Sequence, residues 1–228
     1  MIKPSNYKDH YRQFRSNVDF AVRTWHRQIQ LDQEAIKNVK LNEALNRAAH
    51  YWNDQRHSAL LITVIKLGNI FDNDQRSYSI DKTILVASSE SDHFKKEALR
   101  KRKIVSGGEF DGIDDYIKNA SELNENDLKI IEAEVSKAKI IWKRIAPLRR
   151  KIYVHNDIMS VEKRSKLHEA VNISDINNIL QILLNVSNAL WQAEINGQKP
   201  NFSTDHTQPI GWAVKDIEEL IGSLLHAH

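Results

Sequence analysis

The segment "LRRKIYVHND", Leu148 to Asp157, places arginine and histidine side chains at the end of a long helical pattern. An imidazole with an unperturbed pKa of about 6.5 can take up or release a proton near neutral pH. A guanidinium group can hold a phosphate through two parallel hydrogen bonds and stabilise charge that develops on it. Arg149, Arg150 and His155 are therefore candidates for acid–base and phosphate chemistry.

Structural explanations of the same residues remain open. Basic side chains near a helix C-terminus are favoured by the helix dipole, which alone can account for "RRK". A single histidine on a helix is usually a structural or surface residue, and Asn156–Asp157 can simply end the helix. The segment by itself does not separate these explanations from a catalytic one.

The helix before this segment carries a regular apolar seam. Its inward positions alternate steps of three and four residues: Leu128, Ile131, Val135, Ala138, Trp142 and Ile145. On a straight helix Arg149 and His155 would flank Ile152 on an arc of roughly 120°, and Arg150 would lie roughly 140° from His155. A substrate shared by these groups needs a cleft wider than one helix, formed with a second helix or a second subunit.

The rest of the chain predicts an all-α, single-domain, multi-helix bundle. Gly (7) and Pro (4) are scarce, and "HSALLITVIKLGNIF" (residues 57–71) has the periodicity of a core helix. Pro147 is expected to kink or restart its helix, Ser79 or Ser77 and Ser174 to cap helices, and Gly197 to end one. The predicted parts of this one domain, 1–228, are a core at about 49–197, an N-terminal helical extension at 5–48 and a short C-terminal helix at 210–226.

Charge and composition narrow the functional classes. Seven basic residues and no acid lie between Lys137 and Lys151, which favours a polyanionic partner such as nucleic acid, although a solvated helix face has the same composition. Cysteine is absent, which excludes disulfides and thiolate sites. No apolar run approaches the roughly 18 residues of a membrane span, and the start has no signal-peptide pattern, so we expect a cytoplasmic protein without membrane contact.

No pattern indicates a cofactor or a metal. The loop "VSGGEFDG" lacks the Gly-Lys-Ser/Thr ending of a phosphate-binding loop. His50, Asp54 and His57 have helical spacing, but no motif elsewhere supplies a further strong ligand. We predict no metal site and expect His57 or Asn53 to line a cleft opposite His155.

Two segments, which follow one another along the chain in the family's order, resemble the HEPN superfamily of small helical domains. Within it they resemble the AbiU-like abortive-infection proteins. Tyr51–Ile84 is similar to that family's Trp-led core helix, its "Leu-x-x-Ile-Phe-Asp" ending and the Ser-x-Ser cap that follows. "PLRRKIYVHND" resembles its Arg–His segment. The similarity is good over Tyr51–Ile84 and Ile145–Asp157 and weaker over Asn177–Gly197.

The resemblance implies a metal-independent endoribonuclease of toxin or anti-phage type, acting as a homodimer whose two-fold axis joins two Arg–His segments in one cleft. His155 would be the acid–base group, and Arg150 or Arg149 the phosphate clamp of an Arg-x4/5-His motif. The products would be a 2′,3′-cyclic phosphate and a 5′-hydroxyl. Residues implied to bind the RNA are Lys151, Asn156, Asp157, Arg144 and His57.

The sequence departs from the family pattern beside the arginine. The residue after the motif arginine is commonly Asn, Asp or His, whereas here it is Lys151 or Arg150. An alternative is therefore a catalytically inactive helical module that binds RNA or a protein through the same groove; a purely structural bundle is a third interpretation. Candidate protein partners implied by the resemblance are an antitoxin or a nucleotidyltransferase. Some relatives carry a tyrosine that such a transferase modifies, but that position holds Asp157, so we do not predict the modification.

Overall fold

The computed structural model describes residues 6–74, 77–108, 110–154, 160–169, 171–202 and 211–226. Within these ranges the chain is helical and contains no strand, which confirms the predicted all-α bundle. The elements are α1 Tyr7–Lys37, α2 Val39–Arg47, α3 Ala49–Ile70, α4 Ile80–Ser89, a 3₁₀ turn Ser91–Phe94, α5 Lys96–Gly107, α6 Ile113–Asn119, α7 Glu125–Leu148, a π-helical turn Arg149–Val154, α8 Val161–Glu169, α9 Ile173–Asn196 and α10 Gly211–His226.

The principal core lies among α1, α3, α4, α7 and α9. Phe14, Leu67, Ile131 and Leu183 are fully buried there, one from each of four helices. Each such side chain contributes roughly 1.5–3 kcal/mol through removal of apolar surface from water. The inward face of α1 is thus part of the same core as α3, α7 and α9.

Helix α7 follows its predicted seam. Leu128, Ile131 and Ile145 are buried, and Trp142 stacks on Phe71 with ring centroids 5.6 Å apart. Its N-terminus is set by a capping box, in which Asn124 accepts hydrogen bonds from the first turn and Asp127 accepts one from the Asn124 N–H. This seam holds the basic end of α7 against the core.

Other cap predictions have mixed outcomes. Gly197 ends α9 in the left-handed conformation, at φ 60°, as predicted. Ser79 precedes α4, although its side chain makes no capping hydrogen bond. The Ser174 prediction is wrong: α9 begins at Ile173, and Asn172 caps it by accepting a hydrogen bond from the Ser174 N–H. Asn172 stands one residue before the helix, where a side-chain oxygen reaches the free amides.

None of the described helices contains a segment long and apolar enough to cross a bilayer.

The C-terminal helix α10 packs through Ile217 on Leu31, Leu41 and Leu45 of α1 and α2.

Replacing Gly197 by alanine is expected to destabilise the protein. The left-handed backbone costs an L-residue about 1–2 kcal/mol. A β-carbon there would also lie 2.7 Å from Ala120 Cβ and 2.8 Å from a Leu99 methyl group. The free energy of unfolding from urea denaturation should fall by at least this amount. Gly107→Ala is the matched control because a β-carbon at Gly107 meets nothing within 4 Å; equal stability of the two variants would contradict the prediction.

Candidate functional site

The basic end of α7 is a π-helical turn, Arg149–Val154, that continues the helix directly. Pro147 lies inside α7, two residues before the turn, and has no N–H to bond the carbonyl one turn earlier. The helix does not restart at Pro147: it continues into the turn, where the hydrogen bonding widens to i→i+5. The arcs of roughly 120° and 140° between Arg149 or Arg150 and His155 assume a straight α-helix. That assumption fails after Leu148, where the π-helical turn begins.

Of the two candidate arginines, Arg149 is the one that packs against another helix. Its side chain is half-buried and lies against Gly68 of α3, where a β-carbon would overlap the Nε and Cδ atoms and come within 2.6 Å of Cζ. Its Nε is buried without a hydrogen-bond partner, and among the described residues no carboxylate pairs with it. A buried cationic donor that lacks a partner is costly, so this arrangement is suited to an anionic ligand.

Tyr153 and His57 form a second contact between the π-helical turn and α3, nearer the start of α3. The His57 ring meets the Tyr153 ring edge to face, with centroids 5.8 Å apart. Burial raises the pKa of Tyr153 to about 12, so its phenol is neutral at physiological pH. The contact places His57 of α3 beside the π-helical turn.

The remaining predicted residues differ in their environment. Arg150 and Lys151 are exposed. Arg144 is held by Asp175 of α9 through two hydrogen bonds, of 2.6 and 3.2 Å. His155, Asn156 and Asp157 lie outside the described residues.

The basic stripe Lys137–Lys151 is partly neutralised. Three of its seven cations hold a carboxylate at 2.6 Å: Lys137 with Glu134, Lys139 with Asp81, and Arg144 with Asp175. The other four, Lys143, Arg149, Arg150 and Lys151, form no ion pair with any residue that the structure describes. The uncompensated charge is therefore concentrated at the end of α7 and in the π-helical turn.

No three His, Asp or Glu side chains in the described part of the chain are grouped so that they could hold a metal ion. His50 and Asp54 are exposed on the first turns of α3.

Two residues of this site, Gly68 and Tyr153, were not predicted from sequence. A glycine within the strongly apolar helix "HSALLITVIKLGNIF" was the available signal, because glycine inside a helix costs stability and is usually retained for close packing. Tyr153 carried no signal beyond being an aromatic residue next to the basic segment.

Gly68→Ala is expected to displace the Arg149 side chain while the fold persists, because the overlapping atoms belong to a flexible side chain. In the native background Gly68→Ala has two opposing effects on stability: alanine favours the helix, but the displaced guanidinium loses its contact with α3. In an Arg149→Ala background only the first effect remains, a gain in unfolding free energy of roughly 0.5–1 kcal/mol. A double-mutant cycle on unfolding free energies should thus show Gly68→Ala to be more favourable in the Arg149→Ala background. Identical effects in both backgrounds would show that the two residues are not coupled.

The family model of AbiU2, of the HEPN group, matches residues 5–217 of the chain. No curated protein and no solved structure matches the chain. The matched range includes α1 to α9, the π-helical turn and the seat of Arg149 on α3. The chain therefore belongs to the HEPN AbiU2 family.

Proposed function

We propose that this protein is a metal-independent endoribonuclease of the HEPN type that acts in anti-phage defence or as a toxin, with its active centre at the end of α7. The single observation that carries the proposal is the half-buried Arg149 guanidinium on Gly68, whose Nε lacks a partner among the described residues. Family membership supports the same assignment.

The reaction requires a base, a phosphate clamp and no metal. His155 removes the proton from a ribose 2′-hydroxyl, and the 2′-oxygen attacks the adjacent phosphorus. The bond from phosphorus to the 5′-oxygen breaks, and that oxygen takes up a proton. The products are a 2′,3′-cyclic phosphate and a 5′-hydroxyl. Guanidinium groups stabilise the charge on the phosphoryl oxygens as it develops.

Arg149 is assigned as the phosphate clamp, which makes the motif Arg-x5-His. Its side chain lies against α3, whereas Arg150 is exposed. A preorganised donor loses less entropy when it binds and so contributes more to the transition state. Salt-sensitive attraction for the RNA backbone would then come from the exposed cations Arg150, Lys151 and Lys143.

The proposed assembly is a homodimer, since one helix end offers only part of a cleft that encloses a phosphodiester.

A second candidate is a catalytically inactive module that binds RNA or a protein partner through the same surface. The observation that favours it is Arg150, which follows Arg149 where the family commonly has Asn, Asp or His. The experiment below separates the two.

Purified protein should cleave a 5′-labelled single-stranded RNA of mixed sequence in excess chelator, leaving 2′,3′-cyclic phosphate ends. His155→Ala should lower the cleavage rate by roughly 10²–10⁴-fold, as expected for loss of an acid–base group. Arg149→Ala should lower it by roughly 10²–10³-fold, and Arg150→Ala by much less. Relief of toxicity on expression of His155→Ala would be the matching result in cells.

His50→Ala is the control, because His50 is an exposed histidine of α3 and no role is assigned to it. It should cleave as the unmodified protein does. Loss of cleavage in His155→Ala purified in parallel excludes a contaminating ribonuclease. Sedimentation analysis at micromolar concentration tests the dimer. RNA binding without cleavage would leave the inactive module as the function, and equal cleavage by His155→Ala would refute the catalytic assignment.

A further inference from the structure

A second basic surface lies on α1, α5 and α9, far from the arginine end. Three adjoining clefts, of about 560, 450 and 420 Å³, follow the exposed side of α9. The first and second share Lys8 and Ile195, and the first and third share Arg15 and Trp191. The three clefts therefore form one continuous groove, hereafter the α9 groove.

Cations dominate the walls of the α9 groove. They are contributed by both flanking helices: Lys8, Arg12, Arg15 and Arg23 from α1, and Lys101 and Lys103 from α5. Five of these form no ion pair with a residue that the structure describes: Lys8, Arg12, Arg23, Lys101 and Lys103. Exposed cations on facing walls create a positive potential that attracts a polyanion.

The two carboxylates in the groove contribute little opposing charge. Asp19 lies 3.6 Å from Arg15. Glu194 is buried, with its Oε1 2.9 Å from Nε2 of His93. A phosphate moving along the groove would therefore meet mainly uncompensated lysine and arginine.

An aromatic platform stands where the first and third clefts join. The Arg15 guanidinium lies 5.7 Å from the centroid of the half-buried Trp191 ring. Arg15 is held there because it donates a hydrogen bond of 2.9 Å to the Tyr11 hydroxyl. Indole and guanidinium planes are surfaces on which unpaired bases stack.

Beyond the platform, side-chain amides join the cations Arg15 and Lys199 in the lining. Asn188, Gln192 and Gln198 line the third cleft beside Trp191. Side-chain amides carry both donors and acceptors and can bond the exposed edges of unpaired bases. The combination of a stacking plane with side-chain amides fits unpaired bases better than it fits a membrane or an acidic peptide.

The α9 groove is separate from the candidate active site. Asp175, the partner of Arg144, lies on the first turn of α9, and Trp191 lies sixteen residues later on the same helix. At 1.5 Å per residue the two are about 24 Å apart along the helix axis. The groove and the π-helical turn therefore lie toward opposite ends of α9.

We propose that the α9 groove binds single-stranded RNA, with phosphates along Arg12 and Lys101 and a base stacked at Arg15 and Trp191. The choice of RNA over single-stranded DNA rests on the proposed ribonuclease function; the binding surface itself does not. The groove would hold a part of the RNA remote from the scissile bond.

Binding is measured on full-length protein in a His155→Ala background, so that the RNA stays intact. A fluorescein-labelled, single-stranded 12-nucleotide RNA of mixed sequence is titrated by anisotropy between 50 and 300 mM KCl. Arg12→Ala combined with Lys101→Ala should weaken binding roughly tenfold at low salt. It should also reduce the slope of log affinity against log salt by about 1.4, since each contact to a single strand contributes about 0.7.

Lys40→Ala combined with Arg47→Ala is the matched control. It removes two exposed cations from α2, outside the groove, and should leave the affinity and the salt slope unchanged. Trp191→Leu, checked for an intact fold by circular dichroism, should weaken binding roughly tenfold through loss of stacking while the salt slope stays constant.

The proposal is overturned if the Arg12/Lys101 variant binds like its parent, or if duplex RNA or polyglutamate binds the groove as tightly as the single strand. Groove-dependent binding by a protein that cleaves no RNA would refute the proposed function and support the groove. Cleavage by the native protein with binding unaffected by the groove variants would do the reverse.

Discussion

The close approach of Arg149 to Gly68 is the contact on which the candidate site depends. It brings a guanidinium group from the end of α7 onto the backbone of α3, in space that any side chain larger than glycine would occupy. The buried seam of α7 and the stacking of Trp142 on Phe71 hold the two helices close enough for this contact. The π-helical turn continues α7 beyond this contact, and Tyr153 of the turn meets His57 nearer the start of α3.

Electrostatics give the molecule two distinct basic regions. Along α7, carboxylates of the same or neighbouring elements neutralise three cations, so the unpaired charge collects at the helix end. Toward the other end of α9, α1 and α5 line a groove with cations that, Arg15 excepted, have no such partners in the described structure. Surface ion pairs contribute little to stability, so their main consequence here is to determine where positive potential remains.

Sequence reasoning was most successful where local rules apply. The seam of α7, the core helix containing Leu67 and the end of α9 at Gly197 were predicted from periodicity and backbone preference. It was least successful where a local signal had several outcomes. Pro147 indicated that α7 is irregular near its end. Whether such a helix kinks, restarts or changes to π-helical hydrogen bonding depends on what packs against it. Ser174 was a reasonable cap, yet Asn172, two residues earlier, made the capping hydrogen bond.

The sequence by itself determined that the chain is helical, which faces of its helices point inward, and that basic residues follow the seam of α7. These properties follow from the spacing of neighbouring residues. Only the tertiary structure decided that Arg149, and not Arg150, lies on α3, and that Arg12, Lys101 and Trp191 share one groove. Gly68 and Arg149 are far apart in the chain, as are the walls of the groove, and their meeting is decided by how whole helices pack, which no local pattern encodes.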